Sequence, residues 1–182
     1  VNQTEGKPLV ELSQQLTGEL TDSQKELKDA LLQISPIPVS FQPIEGSANG
    51  FYSLDKNAIT VDSTLSEKQS VKTLIHEIAH ATIHNINIPD APKDSPTREV
   101  QAESIAYVVC QYFGMDVSDY SFGYIAGWST GKDTKELKES LEIIHDTSND
   151  IISKTEQTLT QMQSVKQKVS ETIQPKRRGR CM

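Results

Sequence analysis

Cysteine and aromatic residues are scarce in this 182-residue chain: two cysteines, Cys110 and Cys181, and 5% aromatics. Two cysteines exclude the disulfide framework that holds many small secreted domains together. Cys110 lies in an apolar stretch and reads as a small core residue. The longest apolar runs, such as Ile105-Ala106-Tyr107-Val108-Val109-Cys110, fall far short of the ~20 residues a membrane span needs, so no membrane partner is expected. No basic segment followed by an apolar one opens the sequence, so no secretory signal is visible and the expected compartment is the cytoplasm. Positive charge is also in short supply, with 18 Lys and Arg against 25 Asp and Glu, a net of −7. It is unevenly spread: residues 151–182 hold 7 basic and 2 acidic side chains, a net of +5, which leaves −12 for residues 1–150. An acidic body repels polyanions on average. Nucleic-acid contact would fall to the run Lys176-Arg177-Arg178-Gly179-Arg180, whose plainer reading is a solvated end.

What is present is enough for one modest core: 35% hydrophobic residues and a length that suits a single domain. No internal repeat is visible, and residues 1–8 read as disordered. Thr21-Asp22-Ser23-Gln24 has the form of a capping box, with Leu27, Leu31 and Leu32 following at helical spacing. Pro36 and Pro38 stop that helix by Ser35. Residues 39–42, 50–54 and 58–61 read as strands, the last two forming a hairpin through Asp55-Lys56-Asn57. Ser66-Glu67-Lys68-Gln69 has a second capping-box form, opening a mostly one-sided helix to about Asn85. Residues 86–95 read as a loop. Ser95 and Pro96 then open a helix that runs to about Phe113 and stops at Gly114. Asp133-x-x-Glu136 starts a long pattern carrying Leu137, Leu141, Ile144, Ile151, Leu159, Met162, Val165, Val169 and Ile173. As one helix it would reach about 60 Å, so a bend near Ser148-Asn149-Asp150 is expected. A coiled-coil dimer through residues 134–173 is the alternative. The fold class is α+β, a small sheet followed by helices.

One motif carries chemistry. In His76-Glu77-Ile78-Ala79-His80 the two histidines are four apart on a helix, so both imidazoles stand on one face and can share a metal ion. Glu77 sits within reach of a water on that ion, the arrangement a zinc hydrolase needs. Two histidines leave the ligand set incomplete. Glu99 and Glu103, again four apart, lie on the next helix, and a helix passing back beside the first would aim either one at the metal. Other polar groups read as structural. His84 reads as a helix-end cap and His145 has no assigned role. Tyr107, Tyr112, Tyr120 and Tyr124 are candidate oxyanion donors but more often pack as aromatics. Trp128 reads as packing. Gly50 and Tyr52 lie on a strand that could pair with an extended peptide.

Arg98-Glu99-Val100-Gln101-Ala102-Glu103-Ser104-Ile105-Ala106 resembles the second signature of the gluzincin metallopeptidases. In that clan this helix supplies a glutamate ligand, then an acidic or amide residue four on, then an alanine three further. The resemblance implies Glu99 as the metal ligand and Glu103 behind it, orienting an imidazole, in a place where Asp or Asn is commoner. Residues 69–80, 98–104 and 120–129 are together similar to the peptidase-like domain of ArdC-type antirestriction proteins of conjugative elements, relatives of the ImmA/IrrE-type metallopeptidases. The resemblance covers about residues 35–150, without the single-strand DNA-binding domain of the longer members. It implies a zincin-like fold, with a flexible segment at 1–20, the metallopeptidase domain at 21–150 and a helical extension with a basic tail at 151–182. The function expected is a zinc metalloendopeptidase holding one Zn2+ per chain on His76, His80 and Glu99. Glu77 is its general base, Glu103 its supporting group, and a peptide or protein its substrate. The alternative is a metal-containing antirestriction module that binds DNA or protein without turnover.

Overall fold

The computed structural model describes residues 15–85, 95–117 and 134–173. Among these residues the chain is α+β: helix α1 (Asp22–Ile34), strands β1 (Val39–Gln42), β2 (Gly50–Ser53) and β3 (Ala58–Asp62), then helices α2 (Glu67–Ile83), α3 (Ser95–Tyr112) and α4 (Thr134–Ile173). Tyr120, Tyr124, Trp128, Asp133, the 86–94 connection and the basic run at 176–180 lie outside the described residues.

The sheet has the order β1-β3-β2 and is mixed, with β1 parallel and β2 antiparallel to β3. The expected hairpin is present, its turn carrying Asn57 at φ 45°. β3 is the central strand, and its Ile59 and Val61 are fully buried. β2 is an edge strand with no strand partner on its outer side among the described residues.

α1 begins with a complete capping box, the Thr21 side chain accepting from the Gln24 N–H and the Gln24 side chain from the Thr21 N–H. The second box forms only by half. Ser66 Oγ accepts from the Gln69 N–H, but the Gln69 side chain accepts instead from Leu16 N–H at 2.9 Å. Glu67 Oε2 accepts from Leu20 N–H at 2.7 Å. These bonds tie residues 16–20, grouped above with the flexible segment, to the start of α2, and Leu20 is buried.

α2 is not one-sided. Almost every residue from Gln69 to Ala81 is buried, because the helix packs on β2 and β3 and also meets α1, α3 and α4. A helix covered on all sides must bury its polar groups too, and those need partners. α3 ends as expected at Gly114, with φ 73°. Its closing bonds run from Gly114 N–H to Gln111 O and from Met115 N–H to Cys110 O, the Schellman arrangement.

α4 is one unbroken 40-residue helix; the bend expected at 148–150 does not form. Ser148, Ile151 and Ile152 are buried at that point, so the helix crosses the expected 150–151 boundary inside the core. It packs on α3 and then along α1, where Lys166 Nζ meets Glu26 Oε1 at 2.8 Å. No helix among the described residues is long and apolar enough to cross a membrane.

Candidate metal centre

α2 and α3 pack side by side, and the four-residue repeat of α2 sets a column of Lys72, His76, His80 and His84 against α3. Each faces a polar group. His76 Nε2 and His80 Nε2 lie 3.0 Å apart. Glu99 closes the triangle, with Oε2 3.5 Å from His76 Nε2 and Oε1 3.6 Å from His80 Nε2. All three donor atoms fall within 4.8 Å of one another. Two ligands on one tetrahedral zinc with bonds of 2.0–2.1 Å are separated by about 3.3 Å. The His76, His80 and Glu99 donors therefore fit a zinc ion after shifts of a few tenths of an ångström. The donor types, two imidazoles and a carboxylate, are those of catalytic zinc sites. The Glu99 side chain is 46% exposed, which leaves the triangle open to the cleft.

Glu103, the other candidate, stands one helical turn deeper. Its Oε2 is 2.7 Å from Lys72 Nζ, with both side chains 3% exposed. The same oxygen is 3.3 Å from His76 Nδ1, close enough for charge attraction although the ring N–H does not line up as a hydrogen bond. Glu103 thus stands behind His76, while Glu99 faces both Nε2 atoms. Burial alone would lower the His76 pKa, but the Glu103 and Glu99 carboxylates outweigh it and raise it to about 9. The His76 and His80 imidazoles facing Glu99 hold its carboxyl well below the usual carboxylate range. His76 thus stands between the Glu103 and Glu99 carboxylates, which favour its protonated form.

Glu77 is 6% exposed and lines the same cleft. Burial pushes its carboxyl pKa up, opposed by the nearby His76 and His80. The backbone N–H of Tyr52 on β2 faces that carboxylate. β2 approaches this closely because residue 50 is glycine. A Cβ there would lie 2.7 Å from Thr73 Cγ2, 3.0 Å from Thr60 O and 3.3 Å from Glu77 Cγ. Phe51, Tyr52 and Leu54 line one side of the cleft, and Arg98 with Glu99 the other.

His84 is not only the helix-end residue expected. Its N–H bonds to His80 O, but its ring is buried and bonds on both sides. Nδ1 lies 2.9 Å from His80 Nδ1 and Nε2 lies 3.0 Å from Gln101 Oε1. Burial pushes its pKa down to about 4, so it is neutral. The sequence signal for this, and for Lys72, was the column at 72, 76, 80 and 84; only its two middle members belong to the recognisable motif. His145 is exposed and bonds to Asp146 and Asn149. Tyr112 is 55% exposed, and its hydroxyl donates to Glu156 at 2.6 Å on α4, so it does not serve the cleft.

No protein-family model matches the chain, and no solved structure matches it significantly. It is 32% identical over 114 residues to an uncharacterized protein, pXO2-81, of Bacillus anthracis. The similar region is 62% of this chain and 19% of that protein, so the chain spans about a fifth of the relative's length.

Proposed function

We propose that the chain is a zinc-dependent metallopeptidase domain of the gluzincin type. The observation that carries this reading is the convergence of His76 Nε2, His80 Nε2 and Glu99 on one point, with the Glu77 carboxylate in the same cleft. A purely structural site has no use for a buried carboxylate beside its open face. Zinc on these three donors would polarise a peptide carbonyl and make a water acidic enough to attack it near neutral pH.

The chain's own groups supply the rest. Glu77 accepts the proton from the attacking water and returns it to the leaving amine. Its raised pKa suits both transfers, because the carboxylate is a stronger base than a solvated one. Glu103 stands behind His76 and is anchored there by its ion pair with Lys72. The outer edge of β2, unpaired by any strand among the described residues, suits an extended peptide, which would add a strand beside Gly50–Ser53. Phe51 and Leu54, 41% and 43% exposed, offer that peptide an apolar contact.

The test is cleavage of casein or a peptide library by zinc-loaded protein, with Glu77→Gln as the control. Glutamine is nearly isosteric but cannot take the proton. The variant is expected to keep its zinc and lose about 10²–10⁴-fold in rate. Cleavage at the wild-type rate would assign the activity elsewhere, and loss of zinc would make Glu77 a structural support.

A further inference from the structure

The two imidazoles of the proposed centre are held in different ways. His76 is backed by a charge, the Glu103 carboxylate anchored on Lys72. His80 is backed by no carboxylate among the hydrogen bonds and ion pairs of the described residues other than Glu99 on its metal side. Behind it runs a chain of neutral groups through three helices: His80 Nδ1 to His84 Nδ1 at 2.9 Å, His84 Nε2 to Gln101 Oε1 at 3.0 Å, and Gln101 Nε2 to Ser140 Oγ at 3.1 Å. We propose that His84 is a positioning residue for the metal centre, fixing the tautomer and ring orientation of His80 through a relay that Gln101 and Ser140 hold in one direction. The inference rests on the metallopeptidase reading, since it takes His80 Nε2 as a zinc ligand.

The direction follows from valence. A neutral imidazole has one N–H and one lone pair. If His80 Nε2 gives its lone pair to the metal, its Nδ1 carries the hydrogen and donates. His84 Nδ1 must then accept, so the His84 hydrogen sits on Nε2. That N–H needs an acceptor, and Gln101 presents Oε1 to it. The Gln101 amide nitrogen then points to Ser140 Oγ, which accepts. Every member is satisfied in this direction. In the opposite direction His80 Nδ1 would lack its hydrogen, leaving Nε2 protonated and unable to bind a metal. The relay is sheltered: His84, Gln101 and Ser140 are all 5% exposed or less, so water does not readily replace a missing partner. His84 itself is not a further ligand to the same ion. It meets His80 on Nδ1, and the two ring nitrogens of an imidazole point in divergent directions.

Two conservative variants separate positioning from packing. In His84→Asn, Oδ1 takes the place of Nδ1 and still accepts from His80. In His84→Gln, the amide nitrogen takes the place of Nε2, keeping the Gln101 bond while the acceptor for His80 is lost. Zinc affinity is measured by competition with a chromophoric chelator, and ring nitrogen shifts of the zinc-loaded protein by 15N NMR. His84→Gln and Gln101→Leu are expected to bind zinc about 10–100-fold more weakly, and His84→Asn close to wild type. His84 should show a protonated Nε2 and a bare Nδ1. A packing role would instead leave Asn, the smaller residue, the weaker binder. Equal affinities for the Asn and Gln variants, a proton on His84 Nδ1, or a second zinc bridging His80 and His84 would each overturn the relay. If wild type bound no zinc, the metal reading would fall with it; if wild type bound one and the variants ranked otherwise, the relay alone would fall.

Discussion

At the scale of single residues, most of the centre turns on which atom faces which. His76 and His80 were legible because a four-residue spacing on a helix needs no tertiary knowledge. From spacing alone Glu99 and Glu103 were legible only as a pair, since it gives a shared face but not depth. In the folded chain Glu99 is the half-exposed member and Glu103 the buried one on Lys72. His84 and Lys72 were harder to read, because their partners, Gln101 and Glu103, lie on a different helix. Gly50 is the residue whose replacement tests the closeness of β2 to the site. Gly50→Ala sets a methyl 2.7 Å from Thr73 Cγ2 and 3.0 Å from a backbone oxygen. Overpacking of this kind destabilises by about 1–3 kcal/mol. Urea unfolding should show that loss, and Thr73→Ser in the same chain should recover part of it by removing the clashing methyl. An unchanged midpoint for Gly50→Ala would mean that β2 stands farther from α2.

At the scale of elements, caps and turns were readable where the signal was local. The Thr21 box, the hairpin at 54–57 and the glycine stop at 114 all formed where their residues predicted. The Ser66 box half failed because a distant segment, residues 16–20, took its glutamine. α4 shows a larger failure of the same kind. Its apolar pattern counts Leu141, Val165 and Val169, yet these are 63%, 60% and 52% exposed. The face that packs also carries Ser140, Thr147, Ser148 and Thr155, small polar residues that admit a neighbouring helix closely and that no hydrophobic count detects. Two substitutions that look alike in sequence should therefore differ. Leu141→Ser should change stability by less than about 0.5 kcal/mol. Ile151→Ala, at a residue 2% exposed, should cost about 2–5 kcal/mol. Denaturant titration of the two variants checks this, and equal losses would contradict the observed face of α4.

At the scale of the whole molecule, the sheet, α3 and α4 all serve to bury α2 while leaving one mouth open at Glu99. That burial couples protons to stability, and on the proposed reading it would couple metal binding to both. Without metal, the Glu103 and Glu99 carboxylates outweigh burial and raise His76 from 6.5 to about 9. A pKa raised in the folded state gives stability that is fully present below the unfolded value and is lost as pH rises through the folded one. Chelator-stripped protein should therefore lose stability between about pH 6.5 and 9. Zinc must displace that proton, so apparent affinity should climb by about tenfold per pH unit below 9 and level off above it. Calorimetry in buffers of different ionisation heat would count the released proton. Beneath these couplings lies the claim that the centre holds a metal at all. Native mass spectrometry of protein purified without chelator, alongside Glu99→Ala and Glu103→Ala, tests it directly. One zinc per wild-type chain is predicted, lost in Glu99→Ala and weakened but detectable in Glu103→Ala; a metal-free wild type, or zinc retained by Glu99→Ala and lost by Glu103→Ala, would contradict it.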